Sequence, residues 1–212
     1  MTLILIGSAG EICHHASVTC LCAILLACGA LFFVGAPAAQ AGAAIPPNRV
    51  LRTDGDFELR AYPALMVVET PMAADGSDDG FMRLFNYLRG HNEAKLKIAM
   101  TAPVLISGSA TNRSMAFIMP AALATNQIPQ PTDGSLHVRS WPGGCLAVLR
   151  YSGGRNSTLE KESLAKLQAW MAAQKLTILS GPVYGYFDPP WVPNFWRHNE
   201  VMLRTAPVPP PH

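Results

Sequence analysis

The amino-acid sequence predicts an α+β fold made of two similar halves. Strand-like and helix-like stretches follow the order strand, strand, helix, strand, strand, and this order occurs twice along the chain. The motif LRAYP at residues 59–63 is similar to VRSWP at residues 138–142, and an apolar strand follows each motif. Neither half alone could bury both its helix and one face of its sheet. We therefore expect a curved sheet or partial barrel with two helices outside it and pseudo-two-fold symmetry.

The first half begins with two strands around a turn. Asp54-Gly55 is a turn signal between residues 48–53 and the run FELRAYPALMVVET, so these stretches are predicted to pair as strands. The segment SDDGFMRLFNYLRGHN is predicted to be a helix that ends near Gly90. Its apolar residues follow the spacing of one helix face: Phe81, Leu84, Phe85 and Leu88. The runs KLKIAMTAPVLIS and SMAFIMP are the next two strands.

The second half repeats this order after the proline-rich link IPQPTDG. The run SLHVRSWPGGCLAVLRYSG predicts two strands, and NSTLEKESLAKLQAWMAAQ predicts a helix. Ser157 and Glu160 have the spacing of a capping box at the start of this helix. The runs GPVYGYF and NEVMLR are the closing strands, and residues 206–212 are predicted to form a disordered or extended tail.

The first 41 residues are predicted to be an export signal. An apolar run ends in small residues and in Ala39-Gln40-Ala41, which is an A-x-A cleavage pattern. We therefore expect cleavage after Ala41 and a periplasmic or secreted protein. The first 47 residues contain no Lys or Arg, so the usual positive n-region is missing. The run is also long enough to span a bilayer, which leaves an uncleaved membrane anchor as the alternative.

Cysteine usage and charge exclude several classes of function. Four of the five cysteines lie in the leader, so the remainder keeps only Cys145, which cannot form an internal disulfide and is predicted to be a buried structural thiol. With Glu11 removed, 16 basic and 13 acidic residues remain (14 less one). These charges are scattered along the chain, so nucleic acid is not an expected partner. The only expected membrane contact is through an uncleaved leader, and the oligomeric state is left open.

Four blocks of the sequence resemble the SOUL/haem-binding-protein family, in the same order. They are LFNYLRGHNEAKLKIAMTAPV, AFIMP, VLRYSG and YFDPPWVPNFWRHNEVML, and the resemblance covers residues 48–205. It implies a distorted eight-stranded antiparallel β-barrel flanked by two helices and built by duplication. It also implies non-covalent binding of haem or another tetrapyrrole, a porphyrin-type small molecule, in a shallow hydrophobic cleft. The resemblance names no axial ligand for the iron.

The resemblance places the first helix beside the cleft, so its second face supplies candidate binding residues. They are Met82, Arg83, Asn86 and Tyr87, which we expect to lie away from the apolar stripe. The sulfur of Met82 could reach iron, and Arg83 or Arg89 could pair with a propionate. The alternative interpretation is an ordinary exposed helix face.

Two histidines are candidate axial ligands. His91 follows the first helix in a loop, and His198 lies in the closing block. The prolines and aromatics of that block favour a stiff structural segment, in which a lone histidine is more often structural. His137 is expected to face solvent. No two histidines outside the leader have the spacing of metal ligands, so a zinc site is not predicted.

Three functions follow from these observations. The first is an exported protein that carries, buffers or sequesters haem or a related tetrapyrrole. The second is an enzyme that modifies tetrapyrroles, for example by removing iron, which would need His91 or His198 near the metal. The third is an interaction scaffold without a haem role that uses the aromatic surface near Trp191, Phe195 and Trp196. No catalytic residue is predicted, because neither a nucleophile elbow nor a phosphate-binding loop is present.

Overall fold

The computed structural model describes residues 43–73, 79–109 and 112–207. The predicted leader, residues 1–41, lies outside the described residues, as does most of the predicted tail. The helices are α1 (Gly80–Leu88) and α2 (Ser157–Ala173), and short 3-10 turns occupy Thr125–Gln127 and Asn194–Trp196. The strands are β1 (Arg49–Asp54), β2 (Phe57–Tyr62), β3 (Leu65–Met72), β4 (Val104–Ser109), β5 (Asn112–Ile118), β6 (His137–Trp141), β7 (Gly144–Tyr151), β8 (Val183–Tyr186) and β9 (Asn199–Thr205).

All strands of the described residues join one antiparallel sheet of nine strands, in the order β1-β2-β7-β9-β8-β4-β5-β3-β6. The α+β class is therefore confirmed, but the expected eight-stranded barrel is corrected in two respects. Pro63 interrupts the long apolar run of the first half and lacks the N–H that a ladder needs, so this run forms two strands. The outer strands, β1 and β6, do not pair with each other, so the sheet remains open.

The strand pairing shows the internal duplication. The elements β2, β3, α1, β4 and β5 correspond to β6, β7, α2, β8 and β9. Strand β2 pairs with β7 as β6 pairs with β3, and the equivalent strands β4 and β8 pair with each other at the centre of the duplicated order. If each of these eight strands is replaced by its counterpart, the same strand order results, read from the opposite edge of the sheet. Strand β1 has no counterpart, since it is the extra strand that precedes the duplicated unit.

The two similar motifs, LRAYP and VRSWP, cross at the links between strands, which join β2 to β3 and β6 to β7. A Cβ on Gly143 would lie 2.7 Å from the backbone N of Ala64 and 2.8 Å from the carbonyl oxygen of Tyr62. Only a glycine leaves room for this approach. The crossing curves the sheet so far that the rings of Tyr62 on β2 and Trp141 on β6 meet edge to face, with centroids 6.2 Å apart.

The two faces of the curved sheet have different coverings. Helix α1 packs on β3 and β5, and α2 packs on β7 and β9. Beneath the helices lie two apolar clusters, one around Leu84 and Phe117 and one around Leu167 and Val201. On the opposite face, side chains of different strands pack against one another in a third apolar cluster: Leu65, Val67, Leu105, Ala116, Ile118, Leu146, Val148 and Met202. Among the described residues, no helix combines the length and apolarity needed to cross a bilayer.

The start of α2 differs from the predicted capping box. The N-cap is Asn156, whose Oδ1 accepts hydrogen bonds from the backbone N–H of Thr158 at 2.7 Å and of Leu159 at 3.4 Å. Glu160 does not reach back to the cap. It is buried and paired with Arg113 of β5. The interaction with a distant arginine therefore replaces the local one that the spacing predicted.

The close crossing can be tested by adding a methyl group at Gly143. We expect Gly143→Ala to lower the free energy of unfolding by about 1–3 kcal/mol, because backbone atoms on both sides must move. Urea titration followed by circular dichroism measures the change. Gly134→Ala is the matched control, since nothing lies within 4 Å of a Cβ at that position. Equal stability of the two variants would contradict the crossing.

Candidate functional site

Helix α1 turns a different face to the core than the apolar spacing predicted. Its buried residues are Gly80, Leu84, Tyr87 and Leu88. Tyr87 is fully buried and its hydroxyl donates a hydrogen bond of 2.8 Å to the carbonyl of Pro129. Tyr87 was a candidate for the face that borders the cleft, but the structure places it in the core. The partner carbonyl removes the penalty for burying the phenol.

Arg83 attaches α1 to strand β3. Its guanidinium donates to Oγ1 of Thr70 at 3.2 and 3.3 Å and to the carbonyl of Pro71 at 3.0 Å. Pairing of Arg83 with a propionate would therefore require at least part of this attachment to be given up. Asn86 is half-buried on the same helix.

An apolar surface lies on the outside of α1. Phe81 is 40% exposed and Met82 is 47% exposed. The rings of Phe81 and Phe85 stack with centroids 5.9 Å apart, and the guanidinium carbon of Arg89 lies 5.8 Å from the centroid of Phe85. Spacing of four residues places Phe81, Phe85 and Arg89 in one row along the helix. We call this surface, formed by Phe81, Met82, Phe85 and Arg89, the α1 platform.

A groove of about 240 Å³ lies between the start of β3, the end of β5 and the N-terminal segment. Its lining is mostly apolar and includes Ile45, Met66, Met119 and Leu123. Small-molecule sites usually enclose about 300–1,000 Å³. This groove is therefore too small to enclose a tetrapyrrole.

The two candidate histidines have different surroundings. His91 is exposed in the loop after α1, where its carbonyl accepts a hydrogen bond of 3.2 Å from the hydroxyl of Thr132. His198 is half-buried, and its ring stacks on Phe187 with centroids 4.1 Å apart. Its Nε2 lies 2.8 Å from Oε1 of Glu200. Ligation of iron through Nε2 of His198 would first break this contact.

Glu200 forms the centre of a buried polar network. Its side chain is 1% exposed, and both carboxylate oxygens accept hydrogen bonds from Arg60, at 2.9 and 3.0 Å. Arg60 also donates to Glu58 at 2.6 Å and to the hydroxyl of Tyr62 at 3.1 Å. The pair links β2 to β9 across β7, which supports the structural interpretation of the closing block.

The network keeps Glu200 ionised. Burial alone would raise the pKa of Glu200, but hydrogen bonds from His198 and Arg60 outweigh it and lower the pKa below its ordinary value. Burial would likewise lower the pKa of Arg60, but the bonds to Glu200 raise it. Both members of the pair therefore carry their charges, and each compensates the other in a site of low dielectric constant.

A second polar cluster lies on the helix side of the sheet and escaped the sequence analysis. The buried carboxylate of Glu160 accepts hydrogen bonds from Arg113 and from the hydroxyl of Tyr186. Burial raises the pKa of the neighbouring Tyr151 to about 12. The available signal was the alternation of Tyr184 and Tyr186 on β8, which places both rings on the helix-covered face.

No cluster of histidine, cysteine and acidic side chains capable of holding a metal ion occurs within residues 43–73, 79–109 and 112–207. Comparison with known families gives a match of residues 44–204 to SOUL heme-binding protein. The chain belongs to this family. No curated protein shows significant similarity to the sequence.

Solved structures share the fold of this SOUL-family chain at low sequence identity. The C-terminal domain of EcmrR is 11% identical with a TM-score of 0.54, covering 72% of this chain and 98% of that one. A hydrolase from Listeria innocua is 10% identical with a TM-score of 0.54, covering 73% of this chain and 94% of that one. At such identities the likeness concerns the fold alone.

The residues of the α1 platform fit one face of a haem-type macrocycle. Phe81, Met82 and Phe85 offer apolar contact, and Arg89 offers a cation at the end of the row. Arginine suits a propionate because its fork matches a carboxylate. Haem, when bound, would supply the iron, for which the sulfur of Met82 and the imidazole of His91 are the neighbouring candidate ligands.

The charge of Glu200 predicts how stability depends on pH. The pKa of Glu200 in the folded state lies below the value of about 4.3 in the unfolded state. The ionised carboxylate therefore stabilises the fold above about pH 4.3, and this stabilisation is lost as the pH falls through the folded-state pKa. Glu200→Gln should lower the free energy of unfolding by about 3 kcal/mol at neutral pH and reduce its decline in acid.

Urea titrations between about pH 7 and pH 3 measure both effects. The matched control is Glu162→Gln, because Glu162 is an exposed residue of α2. An undiminished acid decline in Glu200→Gln would show that other carboxylates cause it.

Proposed function

We propose that this SOUL-family protein binds haem or a related tetrapyrrole non-covalently on the α1 platform. The observation that carries the proposal is that a chain of this family exposes Phe81, Met82 and Arg89 on one helix, with the half-buried Phe85 stacked on Phe81. Exposed aromatic surface that is already ordered can bind a flat apolar ligand with little loss of side-chain entropy.

Each residue of the platform has a distinct part in binding. Phe81 and Phe85 cover one face of the macrocycle and provide most of the affinity by burying apolar surface. Met82 adapts to the shape of the ligand because its side chain is unbranched. Arg89 binds a propionate at the rim. His91 lies two residues beyond Arg89, and a turn at Gly90, with φ of 106°, separates them.

The proposed role is carrying, buffering or sequestering the ligand outside the cytoplasm. The predicted signal sequence supports export to the periplasm or secretion, and retention of the leader as a membrane anchor is the alternative. Passive binding is favoured over catalysis, since the carboxylates of Glu200 and Glu160 are each paired with an arginine inside the domain.

The binding site can be tested by titrating haemin into residues 42–212, which lie within a compact unit of their own. We expect a saturable change of the Soret band with one site. Phe81→Ala combined with Met82→Ala should raise the Kd about tenfold, which corresponds to about 1.4 kcal/mol of lost apolar contact. Arg89→Ala should raise the Kd a few-fold.

The control is Leu179→Ala, which removes an apolar side chain outside α1 that is 56% exposed, somewhat more than Phe81 or Met82. His91→Ala and His198→Ala test the axial ligand: the variant that loses the coordinated spectrum identifies it, and we expect His198→Ala to retain the wild-type spectrum. Absence of saturable binding would refute the proposed function, whereas binding unaffected by the α1 variants would refute the site.

A further inference from the structure

The segment between β8 and β9, residues 187–198, is a rigid loop held from both ends. Pro189, Pro190 and Pro193 restrict its backbone. The guanidinium of Arg197 donates to the carbonyl of Val192 at 2.8 Å and also to that of Pro190. We call this segment the aromatic loop.

The other end of the aromatic loop is fixed by Asp188. Its carboxylate accepts a hydrogen bond of 2.6 Å from the backbone N–H of His198, which joins the first and last turns of the loop. Asp188 is the only acidic residue in the loop, and this bond directs its charge toward the loop's own backbone. The tip of the loop is therefore free of negative charge.

The tip presents three large aromatic side chains to solvent. Trp191 is 82% exposed, Phe195 is 69% exposed and Trp196 is 71% exposed. They are the most exposed large hydrophobic residues of the described part of the chain. Apolar surface concentrated in this way on a rigid support usually marks a site of interaction.

We propose that the aromatic loop docks the domain on the surface of a lipid bilayer. Tryptophan and phenylalanine are side chains that insert at the boundary between headgroups and acyl chains. Because the loop is already ordered, insertion requires little loss of backbone entropy. Arg155, whose neighbour Gly154 packs against Asn194 of the loop, adds a cation that is 41% exposed although its Nε lies 4.0 Å from Oε1 of Glu160.

The position of the chain's entry into the domain independently favours a membrane. Ala44 forms a bridge with Thr101, and Ile45 and Pro46 line a small cavity together with Phe187, the first residue of the aromatic loop. The first described residues of the domain therefore lie beside the base of the aromatic loop.

The sequence limits how far the domain can lie from a retained leader. The apolar run of the leader ends at Ala36, so seven residues, 37–43, precede the entry point. Fully extended, they span at most about 24 Å. A leader kept as an anchor would therefore keep the domain close to a bilayer. Docking itself needs only the loop and is independent of haem binding.

Vesicle flotation of residues 42–212, without the leader, tests the proposal. The probes are phosphatidylcholine vesicles with and without phosphatidylglycerol. We expect the wild type to float with the vesicles and its tryptophan emission to shift to shorter wavelength. Trp191→Ala, Phe195→Ala and Trp196→Ala combined should lower the bound fraction at least tenfold, and Trp191→Phe should retain binding.

The matched control is Ile178→Ala with Leu179→Ala. These residues are 42% and 56% exposed and lie beside Arg204 and Thr205, at the end of β9 away from the aromatic loop. This variant should float like the wild type. Thermal unfolding by circular dichroism verifies that all variants are folded.

Two results would overturn the proposal. One is a wild-type protein that fails to float with either vesicle type, and the other is a triple variant that floats as well as the wild type. A dimer that light scattering detects in the wild type and not in the triple variant, without flotation, would assign the aromatic loop to a contact between two copies instead.

Discussion

The architecture depends on one close crossing of the backbone. The link between β2 and β3 passes over the link between β6 and β7, and Gly143 is the residue that allows the contact. On either side of the crossing the chain has different partners: β2 pairs with β7, whereas β3 pairs with β6. Pro63 and Pro142 occupy equivalent positions in the two links. Both helices cover one face of the curved sheet, and the side chains of the opposite face pack against one another.

The buried ion pair of Arg60 and Glu200 also connects strands of the curved sheet. It joins strands that are separated by β7, so it fixes the spacing of three neighbouring strands at once. The same carboxylate binds His198, and His198 bonds to Asp188 through its backbone. The interior network and the exposed aromatic loop are therefore parts of one connected structure.

Local patterns predicted the features that depend on local physics. The repeated motif, the two helices and the family resemblance needed only spacing and residue type, and the duplication follows from them. The number of strands was wrong because Pro63 divides one apolar run. The outer face of α1 was misjudged because Tyr87 finds its partner at Pro129, which is distant in sequence. Glu160 was assigned to a cap for the same reason, since its partner Arg113 lies 47 residues away. The α1 platform was not predicted because Phe81 was assigned to the core. Its ring does meet the buried Phe117, with centroids 5.3 Å apart, but 40% of its surface remains exposed.

An open sheet must protect the two edges that a closed barrel would not have. Unpaired backbone groups along an edge can recruit another chain and start self-assembly. Strand β1 carries arginines at positions 49 and 52, and its register shifts between Val50 and Arg52, an irregularity that spoils pairing with a further strand. Strand β6 is only five residues long. The irregular register of β1 and the short length of β6 therefore both disfavour pairing of the sheet edges with a further strand.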